Sequence, residues 1–131
     1  MNSRRDFIKN TGIAAVGAGM VNVNKKDSMN FIHHVLFWAK NPDNESEKAQ
    51  LKKALIELGK LPMIANAHVG NPVITEFDRK ATEGTYTFSV VLVFENAEKE
   101  SEYLHCDAHM KFIKDNMHLW GKVMVIDSTA V

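Results

Sequence analysis

Cysteine is nearly missing from this 131-residue chain: Cys106 stands alone, which excludes an internal disulfide and every metal site built from clustered thiolates. An excess of one charge is missing too. Sixteen Lys and Arg balance sixteen Asp and Glu, so nothing electrostatic points to nucleic acid or an anionic membrane as a partner. No apolar run reaches the ~20 residues that cross a bilayer core, and no stable membrane anchor is expected. Absent as well are a glycine-rich phosphate loop, a nucleophile elbow and a paired-carboxylate motif, and no cofactor is expected. What is there is 45% hydrophobic and 24% charged, in a length that suits one domain with a core of its own.

The overall neutrality hides an asymmetry. Residues 1–28 hold five basic and two acidic side chains, a charge of +3, which leaves −3 on the other 103 residues. Ser3-Arg4-Arg5-Asp6-Phe7-Ile8-Lys9 precedes a short, glycine-interrupted apolar stretch from Thr11 to Val23, the layout of an export signal. The arginine pair followed by Phe7 and Ile8 looks like the twin-arginine translocation signal, with Ile8 where Leu is usual. An amphipathic N-terminal helix, or initiation at Met29, is the alternative. The signal reading makes 1–28 signal peptide and linker and 29–131 the mature domain. It sends the protein through the twin-arginine export machinery to the periplasm.

In the mature domain, Phe31 to Trp38 is aromatic and branched and stops before Asn41-Pro42, which predicts a strand. Asn44 or Ser46 caps a helix on which Leu51, Leu55 and Leu58 recur at helical spacing until Gly59 to Pro62. Ile64 to Val69 reads as extended, Gly70-Asn71-Pro72 leads into a second extended stretch, and Glu76 to Gly84 is a loop. Thr85 to Phe94 alternates Tyr86, Phe88, Val90, Leu92 and Phe94 against further apolar residues, the pattern of a central strand. A helical region to about His118 follows in two pieces, with Asp107 capping a fresh turn at Ala108, and Lys122 to Ile126 is the last strand. The order βαββαβ is the split βαβ arrangement: an α+β fold with two helices on one face of a four-stranded antiparallel sheet. The apolar other face needs cover, which a second copy packed sheet to sheet supplies by closing an eight-stranded barrel.

Several blocks carry a resemblance over Phe31 to Ser128: His33-His34-Val35-Leu36-Phe37, Leu61-Pro62 with Gly70, Gly84-Thr85-Tyr86, Tyr103-Leu104-His105-Cys106-Asp107-Ala108-His109 and Val125-Ile126-Asp127. They resemble the stress-responsive A/B barrel family of small dimeric α+β barrels. Its members usually read Tyr, two residues, His-Pro-x-His in the fourth block, so Cys106 and Asp107 depart from the pattern. The resemblance implies a ferredoxin-like fold, paired sheets and a pocket between sheet and helices. The family includes plant stress proteins, bacterial members of unknown role and a polyketide cyclase whose acid–base pair maps onto Tyr103 and His109, with a further pocket histidine at His33.

An imidazole with a pKa near ~6.5 exchanges protons at neutral pH, and a phenol can orient a carbonyl or enolate oxygen. Six positions separate Tyr103 from His109, about 240° around an unbroken helix, so they converge only if the helix breaks. Otherwise Tyr103 is a core residue and His109 a structural hydrogen-bonding one. His33 and His34 lie on opposite faces of their strand, and the family match puts His33 inside. His105 and His109 stand at the i, i+4 spacing of helical metal ligands, without a third ligand at a diagnostic interval. Met110, Phe112, Ile113 and Met117 read as core.

The sequence therefore describes an exported homodimer, paired through its sheet, that holds a small, largely apolar ligand near His33, Tyr103 and His109. The alternatives are an acid–base enzyme of the polyketide cyclase type acting on an enolisable carbonyl compound, and a non-catalytic stress-protection or interaction module. Export is testable directly. Because the arginine pair is read by a receptor, replacing Arg4 and Arg5 together by Lys is expected to hold the protein in the cytoplasm. Cell fractionation checks this, and unchanged periplasmic recovery of the double variant refutes it.

Overall fold

The computed structural model describes residues 29–131. The expected signal and linker lie outside the described residues. Strand β1 spans Phe31–Ala39. Helix α1 spans Glu45–Leu58, where the Asn44 side chain accepts the Glu47 N–H at 3.0 Å and Glu45 and Glu47 favour the positive end of the helix dipole. Leu51, Leu55 and Leu58, spaced i, i+4, i+7, form its buried stripe. Strands β2 (Asn66–Gly70) and β3 (Phe88–Phe94) come next. Helices α2 (Ala97–His105) and α3 (Asp107–Asn116) are separated by Cys106 alone, and β4 (Trp120–Thr129) ends the sheet.

The sheet order is β2-β3-β1-β4 and every neighbouring pair is antiparallel, the arrangement expected of a ferredoxin-like α+β domain. Three expectations need correction. Met110 and Met117, read as core, are 55% and 57% exposed, because α3 turns Phe112 and Ile113 toward the core instead. Residues 71–87 carry only a 3-10 turn at Arg79–Ala81. The strand expected from Thr85 begins at Phe88, because the Thr87 hydroxyl, not a strand carbonyl, accepts the Ala39 N–H at 2.9 Å, and the Thr85 hydroxyl accepts from Trp38 Nε1 at 2.9 Å. The helix break falls at Cys106, so Asp107 is the first residue of α3 rather than its cap.

Strand parity divides the sheet. Val35 and Phe37 of β1 and Phe88, Val90, Leu92 and Phe94 of β3 point at the helices and join Leu51 and Leu55 in one core. A register slip between Trp38 and Ala39 pairs Ala39 with Trp120. Without it Trp120 would face away; with it the indole turns inward and stacks on Phe112, ring centroids 5.6 Å apart. The opposite face carries Ile32, His34, Leu36, Val91, Val93, Met124 and Ile126, with the His34 Nε2 at 2.8 Å from the Ser89 Oγ. Met124 and Ile126 stay 42% and 48% exposed there. Among the described residues no helix is long and apolar enough to cross a membrane.

Candidate functional site

The cavity between the sheet and α1, α2 and α3 has a volume of about 210 Å³. Its wall is apolar apart from three side chains, His33, Tyr103 and His109, the three that the sequence singles out. Leu55, Val90, Leu92 and Phe112 make up much of the rest, and Val123 and Val125 of β4 line it while remaining 45% and 52% exposed, which puts its mouth along that edge. A more open cleft of about 420 Å³ between the start of α1 and Thr85–Phe88 is larger but polar, and none of the singled-out residues lines it.

Each polar side chain of the cavity is placed by a local feature of the chain. His33 is buried on the helix-facing side of β1, while His34 takes the other face. Tyr103 lies in the last turn of α2, buried against His33 and Phe94 at centroid distances of 5.9 and 5.4 Å. Cys106, at φ −76° and ψ 158°, is extended and interrupts the helical path. The chain therefore restarts at a new angle, and the His109 ring comes to 4.6 Å from the Tyr103 ring, centroid to centroid.

The hydrogen bonding fixes chemical states. His109 Nδ1–H donates to the Leu104 carbonyl at 3.0 Å, so the neutral ring carries its proton on Nδ1 and keeps a lone pair on Nε2. Burial lowers the His109 pKa, opposed by that backbone bond and assisted by the charges of His33 and His105. Burial likewise raises the Tyr103 pKa, helped by Cys106 and Glu100, so the phenol holds its proton and acts as a donor. The cavity thus presents an uncharged base beside an uncharged acid.

His105 does not join them. Its Nδ1–H bonds to the Ser101 carbonyl at 2.8 Å, and the i, i+4 pair with His109 forms no cluster of three metal donors. The cluster among the described residues is instead His33, Glu100 and Asp127. His33 Nδ1 is 2.8 Å from Asp127 Oδ1 and 3.0 Å from Glu100 Oε2. Burial, and then the charge of Asp127, raise the Glu100 pKa, with His33 opposing. Sequence reasoning assigned no role to either carboxylate. Glu100 had one signal, its i−3 position to Tyr103 on one helix face. Asp127 had its place in the last resemblance block, Val125-Ile126-Asp127, but only the β1–β4 register sets it opposite His33.

A family profile described as the stress responsive A/B barrel domain matches residues 32–130. No curated protein matches the chain. Among solved structures, a protein from Arabidopsis thaliana is 24% identical with a TM-score of 0.61, over 77% of this chain and 95% of that one. A dimeric ferredoxin-like protein of unknown function from Thermobifida fusca is 17% identical with a TM-score of 0.62, over 79% and 93%. A hydroxynitrile lyase from Passiflora edulis is 12% identical with a TM-score of 0.63, over 79% and 96%.

The depressed His109 pKa sets a pH dependence. Near and below pH 6.5 the unfolded chain binds a proton that the folded chain resists, so the stability contributed by neutral His109 is present above 6.5 and is lost as pH falls through the folded value. His34, also lowered, adds a slope of the same sign; Glu100, raised above 4.5, adds the opposite one. Only the difference between variants isolates His109. Wild-type melting temperature is expected to fall more steeply below pH 6.5 than that of His109→Gln, measured by thermal melts in matched buffers, and parallel slopes refute the assignment.

Proposed function

The chain belongs to the stress responsive A/B barrel domain family, and on that premise we propose that it is an exported homodimer whose cavity binds a small, largely apolar molecule by its one polar end. The observation that carries this reading is the cavity itself: about 210 Å³, apolar, with a donor at Tyr103 and an acceptor at His109 side by side. An apolar cavity of ~150 Å³ holds a benzene-sized guest, so this one suits a single ring or a short chain with a carbonyl or hydroxyl. Dimerisation is supported by the exposed Met124 and Ile126 on the sheet face away from the helices, and by the dimeric state described for the Thermobifida fusca protein of the same fold. Static light scattering is expected to give twice the chain mass, and Ile126→Lys to shift it to the monomer. A monodisperse wild-type monomer at micromolar concentration refutes the pairing.

A second reading, acid–base catalysis on an enolisable carbonyl compound, is favoured by one feature: the tethered Nδ1 of His109. That bond leaves Nε2 to take an α-proton while the Tyr103 hydroxyl donates to the oxygen that gains charge as the enolate forms. The proton returns from Nε2 to carbon or to another atom of the guest. The Passiflora edulis hydroxynitrile lyase supports only the point that this fold houses an enzyme.

Acetophenone in deuterated water is a direct probe of both readings. Catalysis is expected to exchange its methyl protons, and His109→Ala and Tyr103→Phe each to slow exchange ~100- to 10,000-fold. Binding without catalysis raises the wild-type melting temperature with no exchange. A structural pair behaves differently, since deleting a buried hydrogen-bonded group costs ~1–3 kcal/mol. If both variants melt several degrees lower and no carbonyl guest shifts the wild type, neither reading stands.

A further inference from the structure

The cluster that His33 forms with Glu100 and Asp127 has more acceptors than protons. His33 Nδ1 faces two carboxylate oxygens, Asp127 Oδ1 at 2.8 Å and Glu100 Oε2 at 3.0 Å. One N–H makes one good hydrogen bond, and here it goes to Asp127. Glu100 Oε2 is left fully buried without a hydrogen-bond partner, on a residue only 9% exposed. A buried carboxylate oxygen in that position is costly unless a proton or a cation meets it.

The donor set favours a cation. Three rigid elements deliver the three groups: β1 brings His33, α2 brings Glu100 and β4 brings Asp127, with all donor atoms within 4.8 Å of one another. Adjacent donors on an octahedron with bonds of ~2.1 Å lie ~3.0 Å apart, close to the two spacings from Nδ1. One imidazole and two carboxylates form a mixed nitrogen and oxygen set, suited to divalent ions between the hardness of magnesium and the softness that demands thiolate. Two carboxylate charges also balance a doubly charged ion.

We propose that His33 Nδ1, Glu100 and Asp127 form a binding site for a divalent first-row metal ion such as Mn²⁺ or Zn²⁺. The Asp127 side chain is 40% exposed, which gives the ion a route in from solvent. Binding takes the proton off Nδ1, either to Nε2 or to solvent. The proposal is independent of whether the cavity holds an organic guest.

The test is calorimetric titration of the chelator-stripped protein with MnCl₂ and separately with ZnCl₂. One saturable site per chain is expected for at least one of the ions. Glu100→Gln and Asp127→Asn should each weaken it tenfold or more, while His105→Ala leaves it unchanged and so excludes an adventitious surface histidine. The absence of saturable binding for both ions overturns the proposal. So does wild-type affinity in the two carboxamide variants, or loss of binding with His105→Ala. Circular dichroism confirms folding; if Glu100→Gln fails to fold, Asp127→Asn decides alone, since its partly exposed position on the last strand tolerates the amide.

Discussion

An unbroken helix from Ala97 to Asn116 would hold Tyr103 and His109 about 240° apart, facing different parts of the molecule. The single extended residue Cys106 removes that constraint. Its N–H still bonds to the Tyr103 carbonyl at 3.2 Å and its carbonyl accepts the Met110 N–H at 3.1 Å, so the path changes direction while the backbone polar groups at the break remain satisfied. The first turn of α3 then brings His109 back over the end of α2, where the Leu104 carbonyl fixes its tautomer. Position, protonation state and access to the cavity all follow from that one interruption.

The sheet contributes the second constraint. Antiparallel pairing of β1 with β4 sets His33 directly opposite Asp127, and antiparallel pairing with β3 sets it opposite Leu92. His33 therefore has an apolar neighbour on one side and a carboxylate on the other, under the roof made by Tyr103 and Glu100. With β1 held by β3, a shift of one residue in the β1–β4 register would turn β4 over and send Asp127 to the outer face, away from His33. The slip near Gly121 lies beyond this pairing, so it turns Trp120 inward without disturbing His33.

Much of this was legible in the amino-acid order because it is carried by local periodicity. The Leu51, Leu55, Leu58 stripe and the alternation of Phe88, Val90, Leu92 and Phe94 have periods that belong to one structure each, and they locate α1 and β3. The family block around Tyr103 and His109 brought those two residues forward, and the arithmetic of helical turns showed that a break was needed for them to meet. What escaped depends on pairing across the chain. Asp127 is 94 residues from His33 in sequence, and no pattern near either one announces their contact. Glu100 sits among the charged residues of an amphipathic helix, where a solvated face is the ordinary expectation, and only packing against β1 and β4 reveals that it is buried. Thr85 and Thr87 misled for a related reason: their β-branched shape reads as strand, while their hydroxyls bond Trp38 and Ala39.

The polar groups of the site divide into an uncharged pair, Tyr103 with His109, and a hydrogen-bonded trio, His33 with Glu100 and Asp127, and the two are in electrostatic contact. His33 touches the Tyr103 ring, and the Glu100 charge is one of the causes that raise the Tyr103 pKa. Burial is the larger cause and is fixed by the fold, whereas the Glu100 charge is adjustable. A proton on Glu100, or a cation beside it, withdraws that negative charge and moves the phenol toward easier proton release. Withdrawing the Glu100 charge therefore makes the Tyr103 donor more acidic, while burial keeps the His109 base uncharged. Two clusters that look separate in the chain act on one cavity through the field they share.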